Sequence, residues 1–402
     1  MPTDVNNMEF NQLATVLNAI HRQATGQSAA AAVDTYTFVS QAQTALKTGF
    51  DPVCNAISQV LSRTIFSIRP WESKFRRMQA DPIRFGAHVR KVNYGDSDWQ
   101  DDDRILLVEG QSVDQQVVKK PKILQTNFYG QNVFEKGYTL FRDQLNTAFS
   151  GPDEFARFVA GVVQNASDML EQSRDELSRM LISNYIGAKI VTTSNLIEPA
   201  AAVVHLLTEY NTQSGQSLTA TDIYLPANFK SFMAWVYSRV AAICSAMTER
   251  SALYHVTPAP GGVSSKIMRH TPYARQQIYL YAPMQFATEA RAIADTYHDT
   301  YLRWADHETV NYWQSILAGD AIKVNPNYMI ADGTYGYTTQ TVEQGSIFGV
   351  IVDEETLGWT PIEQWQAPAP FNARGGYTTV WMHETQRYWT DMTENGVILL
   401  LD

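Results

Sequence analysis

The chain has 402 residues, of which 45% are apolar and 11% aromatic, and its formal net charge is −10 at pH 7. This composition is typical of a folded globular protein and excludes an intrinsically disordered one. The acidic excess is uneven, because residues 1–150 hold 16 Lys and Arg against 15 Asp and Glu, whereas residues 151–402 hold 15 against 26. The charge excludes a protein that coats nucleic acid over its whole surface.

Cysteine content and hydropathy narrow the class further. Cys54 and Cys244 lie far apart in dissimilar contexts, which predicts no disulfide framework and fits a reducing cytoplasm. No apolar run approaches about 18 residues, so no membrane span is predicted. The opening residues, MPTDVNNMEF, lack the pattern of a signal peptide.

The first part of the chain is predicted to be helical. The stretch MEFNQLATVLNAIHRQA at 8–24 repeats apolar residues at helical spacing, and a weaker helix is predicted over 33–62. Neither has an obvious core of its own. Residues 1–62 are therefore predicted to form an arm that must pack on another structure to be stable.

Residues 63–141 are β-branched and aromatic, and they are interrupted by the acidic stretch GDSDWQDDDR. Two long strands around a polar tip predict an extended hairpin. Because an isolated two-stranded hairpin is marginal in water, we expect it to pack on a neighbour. The tip has Asp101 and Leu107 where a calcium loop needs Gly and a carboxylate, so no calcium site is predicted.

Charged residues cluster on this predicted hairpin. The basic run consists of Arg63, Arg69, Lys74, Arg76, Arg77, Arg84, Arg90 and Lys91, and the acidic tip of Asp96, Asp98, Asp101, Asp102 and Asp103. The basic run fits phosphate, the acidic half of another subunit, or a solvated and salt-bridged surface.

The stretch GPDEFARFVAGVVQNASDMLEQSRDELSRMLISNYIG at 151–187 predicts one very long helix. Pro152 suits the first helical position, Asp153 and Glu154 complement the positive end, and Gly187 is the predicted stop. About 35 residues at about 1.5 Å each give a rod of about 50 Å. Its apolar stripe is not a strict heptad, which favours a helix lying across a sheet over a coiled coil.

The rest of the chain mixes helices and strands. Helices are predicted over 198–210 and 227–247, and strands over 221–226, 265–272, 276–283, 346–355, 375–391 and 395–401. The stretch 287–304 is ambiguous, with helix favoured for its first half. A Gly/Pro loop, TPAPGGVSS, covers 257–265.

Residue patterns typical of catalysis are missing from the sequence. It has no Gly-rich phosphate loop and no GxSxG, and the spacing of His298–Asp299 and His307–Glu308 matches no zinc pattern. The adjacent acids at 353–355 would point to opposite faces of a strand. We therefore predict no catalytic, cofactor-binding or metal-ligating residue, and no enzymatic activity.

Two stretches carry a family resemblance: FRDQLNTAFSGPDEFARFVAGVVQNASDMLEQSRDELSRMLISNYI at 141–186 and WTPIEQWQAPAPFNARGGYTTVWMHETQRYWTDMTENGVILL at 359–400. The chain resembles the major capsid proteins of tailed bacteriophages with the HK-97-like fold, closest to those of phi-29-like podophages. In that family a strand ends in a short LxTAF turn of helix, and a spine helix follows that closes on an Asn–Tyr pair. The pair here is Asn184–Tyr185.

The resemblance implies an α+β fold with named parts. They are an N-terminal arm (1–62), an extended E-loop hairpin (76–135) that reaches over an adjacent subunit, a peripheral domain (63–75, 136–195 and 346–402) with the spine helix (152–186) on its sheet, and an α/β axial domain (196–345). The loop with Pro260, Gly261 and Gly262 would lie at the centre of hexamers and pentamers. An immunoglobulin-like decoration domain is not expected.

The implied function is a major capsid protein that self-assembles into the hexamers and pentamers of an icosahedral or prolate head around double-stranded DNA. The implied partners are other copies of the chain, a separate scaffold protein and a portal, with neither sequence-specific DNA binding nor a membrane. The expected location is the virion capsid, assembled in the bacterial host cytoplasm. Subunit contacts are predicted at the charged residues named above, apart from Arg69 and Lys74, and at the 260–262 loop.

Two alternatives stay open. An encapsulin-like compartment would share the fold but enclose an enzyme. A carbohydrate-active enzyme would use the aromatic C-terminal region, with Glu354 or Glu384 as its acid.

Overall fold

The computed structural model describes residues 10–26, 34–47, 53, 73–81, 89–95, 107–112, 116, 123–149, 151–260, 267–284, 307–338 and 341–402. The helices are α1 (Phe10–Thr25), α2 (Thr35–Lys47), α3 (Arg142–Ala148), α4 (Pro152–Ser194), α5 (Leu206–Ser214) and α6 (Pro226–Thr248). The first strands are β1 (Val89–Tyr94), β2 (Ile123–Phe128), β3 (Gly130–Phe141), β4 (Val203–His205), β5 (Gln276–Tyr281), β6 (Glu308–Val310) and β7 (Ile322–Val324). The others are β8 (Asn327–Met329), β9 (Tyr335–Tyr337), β10 (Val342–Gln344), β11 (Ile347–Asp353), β12 (Leu357–Pro368), β13 (Tyr377–Thr390) and β14 (Gly396–Leu400).

A five-stranded sheet with the order β4-β14-β11-β5-β6 forms the centre of the fold. Strands β11 and β14 are apolar at almost every position, as expected for strands that are buried on both faces. Successive side chains enter opposite cores. Val350, Val352, Ile398 and Leu400 pack with α4, and Phe348, Ile351, Val397 and Leu399 pack with α5 and α6. The sheet is therefore the middle layer of three.

Helix α4 spans 43 residues, which at about 1.5 Å per residue gives about 65 Å. It begins at Pro152 as predicted, but the predicted end at Gly187 is wrong, because the helix continues to Ser194. A Cβ on Gly187 would lie 2.6 Å from the Val324 side chain and 3.2 Å from Pro326. The glycine therefore permits close packing of the helix on the chain after β7 and does not end the helix.

The first half of α4 lies on a second, three-stranded sheet with the order β12-β13-β3. Leu140 and Val380 on the inner face of this sheet pack with Phe158 and Val162 of the helix. The rod thus lies across two sheets, in agreement with the expectation of a helix on a sheet.

The N-terminal helices α1 and α2 pack on α3 and on the start of α4. The ring of Phe38 in α2 lies 5.8 Å from that of Phe155 in α4, which stacks on Phe149 at 5.4 Å. Leu17 and Ile20 of α1 are fully buried in the same cluster. The described part of residues 1–62 therefore packs on its own chain.

Several predicted elements are confirmed: the helix at 8–24 for its described part from Phe10, the helix at 227–247, and the strands at 276–283, 346–355, 375–391 and 395–401. Three others are wrong. The helix predicted over 198–210 is divided into a 3-10 turn, the strand β4 and the helix α5. The strand predicted over 221–226 is a 3-10 turn at Asp222–Tyr224, and the described part of 265–272 forms only a single bridge between Ser251 and Arg269. The ambiguous stretch 287–304 and Cys54 lie outside the described residues.

The central sheet combines strands from both sides of the predicted boundary at 346, since β4, β5 and β6 precede it and β11 and β14 follow it. That boundary does not separate two sheets, and the division into domains stays a prediction.

Candidate functional site

Strands β1 and β2 form the predicted hairpin, antiparallel and in register from Val89 opposite Phe128 to Tyr94 opposite Ile123. Its inner face rests on its own subunit, where the ring of Phe128 lies 6.2 Å from that of Tyr335 and Asn93 is buried. Pairing of the hairpin with its own subunit was not anticipated, because the sequence predicts packing on a neighbour.

The other face of the hairpin, here called the free face, is exposed. It carries Arg90, Val92, Tyr94, Ile123, Gln125 and Asn127. Val92, Tyr94 and Ile123 are 41%, 68% and 56% exposed, which is a large apolar fraction for so small a surface. An apolar face of this kind marks an interaction surface.

The inner face holds a cluster of charges centred on Lys91. Its ammonium lies 2.8 Å from a carboxylate oxygen of Asp391, 2.5 Å from Glu394 and 3.2 Å from Glu355. Arg269 also pairs with Glu394, at 2.9 Å. Asp391 is fully buried, so its charge needs a cation within contact distance.

Electrostatics at this cluster favour a charged lysine. Partial burial alone would lower the pKa of Lys91, but the charges of Asp391 and Glu394 outweigh it and raise the pKa. Burial raises the pKa of Glu394 against the opposing effect of Lys91 and Arg269. Lys91 therefore stays protonated and holds the two carboxylates together.

A row of aromatic side chains runs along the outer face of the three-stranded sheet. The row consists of Phe141, Tyr377, Trp381, Trp365 and His383. The rings of Trp365 and His383 stack at 3.9 Å, and Glu135 lies 3.6 Å from Nδ1 of His383. Trp365, Trp381 and Phe141 are between 39% and 47% exposed. This outer face is the second apolar surface without a covering element among the described residues.

Some of the predicted contact residues lie in the described part of the chain, and the others lie outside it. Arg76 and Arg77 are exposed in a short 3-10 turn, Arg90 is exposed on the free face, and Lys91 is engaged inside the subunit. Pro260 ends a described stretch. The remaining predicted contact residues, Arg63, Arg84, Asp96, Asp98, Asp101, Asp102, Asp103, Gly261 and Gly262, lie outside the described residues. A contact role for all of them stays a prediction.

These surfaces could be recognised only in part from the sequence. The aromatic pattern of 377–389 was visible, but its division into an inner and an outer face depends on pairing with β3, which is remote in sequence. Asp391 and Glu394 belong to the turn before β14, and their partner Lys91 is 300 and 303 residues away in sequence. Such pairs leave no local pattern.

The residues considered for catalysis are tied to other partners. Glu384 is 1% exposed and accepts from Arg174 and Gln386, and Glu354 pairs with Arg275 in a turn. Burial raises the pKa of the Cys244 thiol to about 11, so it stays protonated at pH 7.

Within the described ranges, no group of three or more His, Cys, Asp or Glu side chains is arranged to hold a metal ion. Among the described helices, none combines the length and apolar character needed to cross a lipid bilayer.

Two solved structures from bacteriophages have a similar fold. The capsid structure of Staphylococcus phage Andhra is 12% identical, covers 85% of this chain and 87% of its own, and superposes with a TM-score of 0.53. A structure of the head fiber and inner core protein gp22 of native bacteriophage P68 is 12% identical, covers 85% of this chain and 87% of its own, and superposes with a TM-score of 0.54. No curated protein sequence matches the chain. A family model described as "Phi29-like phage major capsid protein" matches residues 17–400.

Proposed function

The chain belongs to the Phi29-like phage major capsid protein family, and from this premise we propose that it forms the hexamers and pentamers of a tailed-phage head around double-stranded DNA. The fold is the HK-97-like capsid fold, and the protein is a capsid shell protein. Its work is mechanical: many copies associate, and no step of covalent chemistry is needed.

The observation that supports this assembly most directly is the free face of the hairpin. Val92, Tyr94 and Ile123 are exposed there, although the opposite face of the same strands is buried on the subunit. When another copy covers these apolar side chains, the free energy of association improves by about 25 cal/mol for each Å² of apolar surface removed from water.

The outer face of the three-stranded sheet is the surface we assign to receive it. Trp365 and Trp381 offer aromatic area, and Glu135 on the same face could pair with Arg90 of an arriving hairpin. Because every copy donates one hairpin and receives another, weak contacts multiply around a closed ring.

We place the remaining partners by the family relationship. A separate scaffold protein and a portal would act during assembly in the host cytoplasm, and the finished protein would reside in the virion. The net charge of −10 limits adhesion of the shell to packaged DNA. No observation favours the encapsulin-like or carbohydrate-active alternatives, and the pairing of Glu384 with Arg174 argues against an open catalytic acid.

The test is electron microscopy of the expressed chain together with a variant of the free face. We expect closed shells from the wild type and folded but unassembled subunits from the triple variant Val92→Ser, Tyr94→Ser and Ile123→Ser. The control variant Val92→Ile with Tyr94→Phe keeps the apolar surface and should form shells. A wild-type chain that stays monomeric under all assembly conditions, or a triple variant that forms normal shells, would overturn the proposal.

A further inference from the structure

The two strands of the hairpin are attached to the subunit in different ways. Strand β2 ends at Phe128 and β3 begins at Gly130, so this strand runs directly into the three-stranded sheet through Tyr129. A Cβ on Gly130 would lie 2.6 Å from Tyr388, so β3 and β13 approach each other closely at this point. This side of the hairpin is held by the backbone itself.

Strand β1 is held by side chains. Lys91 contacts Asp391 and Glu394 in the turn between β13 and β14, and Glu355 in the turn between β11 and β12. Its ammonium therefore joins the hairpin to two turns of the central fold at once.

A second attachment point lies two residues further along β1. Asn93 donates from Nδ2 to the Thr393 hydroxyl at 3.3 Å, and its Oδ1 accepts from Arg269 at 2.6 Å. Arg269 also donates to the Thr393 carbonyl and contacts Glu394. Lys91 and Asn93 thus both contact the same turn, 391–394.

Removal of the lysine would leave an excess of negative charge. Three carboxylates, those of Asp391, Glu394 and Glu355, meet at this ammonium, and one of them is fully buried. Without Lys91 they would repel one another and draw in water, which separates β1 from the turn. The backbone continuity at Tyr129 would remain, so the hairpin could swing about that point.

We infer that Lys91 is a positioning residue for assembly: it fixes the direction in which the hairpin leaves its subunit, about a pivot at Tyr129 and Gly130. The inference rests on the proposed function, because the direction matters where the free face must meet a neighbouring copy. Arg90, the adjacent cation, lies on the free face and has no part in this attachment.

The experiment measures hairpin direction in the unassembled full-length chain. Spin labels are placed at Gln125→Cys on the hairpin and Glu363→Cys on β12, both exposed positions, with Cys54→Ser and Cys244→Ala to remove other thiols. The wild type, Lys91→Arg and the control Arg90→Met should give one narrow distance distribution. Lys91→Met should broaden it about twofold or more, as expected for a released element.

Shell yield from the wild type, Lys91→Met and Lys91→Arg without labels gives the second readout. We expect a fall of about tenfold or more for Lys91→Met, because avidity is lost when the contacts cannot form together, and recovery with Lys91→Arg. An equally narrow distribution for Lys91→Met, or equal broadening for Arg90→Met, overturns the inference. If Lys91→Met does not fold, Arg269→Met removes the partner of Asn93 and must broaden the distribution instead. A wild type that forms no shells contradicts the proposed function, whereas the label distances still decide the role of Lys91.

Discussion

The hydroxyl of Tyr185 in α4 fills the space that a Cβ on Gly396, the first residue of β14, would need. Tyr185 is completely buried, and its hydroxyl has no hydrogen-bond partner among the described residues. The neighbouring Asn184 accepts a hydrogen bond from the backbone N–H of Asn327 at 2.9 Å. The Asn–Tyr pair therefore joins the long helix to two different parts of the central fold.

Substitution of Gly396 by alanine should destabilise the subunit by about 1–3 kcal/mol through overpacking. Tyr185→Phe alone should be close to neutral, since it removes a buried hydroxyl without a partner. In the double variant part of the loss should be recovered, because the clashing oxygen is gone. Thermal unfolding of the four proteins gives the coupling energy, and strictly additive losses would contradict the contact.

The ion pair between Lys189 and Glu198 is a second determinant of stability. Both side chains are completely buried, Lys189 also donates to the Tyr254 carbonyl at 2.9 Å, and Glu198 accepts from the Thr192 hydroxyl at 2.9 Å. Burial lowers the pKa of Lys189 and raises that of Glu198, each opposed by the charge of the partner.

Lys189→Met should cost about 3–5 kcal/mol, because it leaves a buried carboxylate without its cation. The matched control is Lys323→Met, which breaks the exposed pair with Glu343 and should cost no more than about 1 kcal/mol. Denaturant unfolding of the unassembled subunits measures both. Equal losses for the two variants would mean that the buried pair contributes nothing special.

The elements that the sequence predicted well are those with a strong local period. Helix α6 and strands β11, β13 and β14 have clear apolar patterns, and they form where expected. The predictions are wrong where a segment pairs with a strand that is remote in sequence. Val203 and Val204 read as part of a helix but pair in parallel with Ile398 and Leu399, so the C-terminal strand, not local propensity, decides their conformation.

The same reason limits prediction of the functional surfaces. The hairpin was predictable from two apolar segments around a polar tip. Which of its faces is free was not, because that depends on Lys91 meeting Asp391 and on Phe128 meeting Tyr335. Glycine was also ambiguous: Gly187 has the sequence context of a helix stop, yet it serves close packing against Val324.

His255 should make stability depend on pH. Its ring is fully buried, with Nε2 lying 2.9 Å from the Ile267 carbonyl oxygen and Nδ1 lying 3.0 Å from Oδ1 of Asn395. Burial lowers the pKa of His255 to about 4. The unfolded chain, with a pKa near 6.5, binds the proton more readily, so this contribution is complete above about pH 6.5 and is lost as the pH falls toward 4.

The free energy of unfolding falls by at most about 3.4 kcal/mol over that range. His255→Gln should therefore be less stable than the wild type at pH 7, and the difference between their melting temperatures should narrow as the pH falls from 6.5 to 4. The comparison cancels carboxylates that titrate in both proteins. A constant difference across this range would contradict a neutral buried imidazole.

Charge reversal at Arg76 and Arg77 should weaken assembly without unfolding the subunit. Both side chains are exposed, and the turn that carries them is fixed by the buried Phe75 and Met78. The subunit should therefore stay folded when the two exposed side chains are changed. Residues 151–402 carry the acidic excess of the chain, so a neighbouring copy that meets this turn would be attracted by arginine and repelled by glutamate.

Arg76→Glu with Arg77→Glu should lower shell yield strongly in low salt, and Arg76→Gln with Arg77→Gln should lower it less, because neutralisation removes the attraction without adding repulsion. Higher ionic strength should narrow the gap between the two variants, since salt screens exposed charges over about 10 Å at 0.1 M. Light scattering and electron microscopy measure the yield, and unchanged melting temperatures confirm folded subunits. Normal particle yield with both residues reversed would remove this turn from the contact surface and leave the free face of the hairpin as the main determinant of assembly.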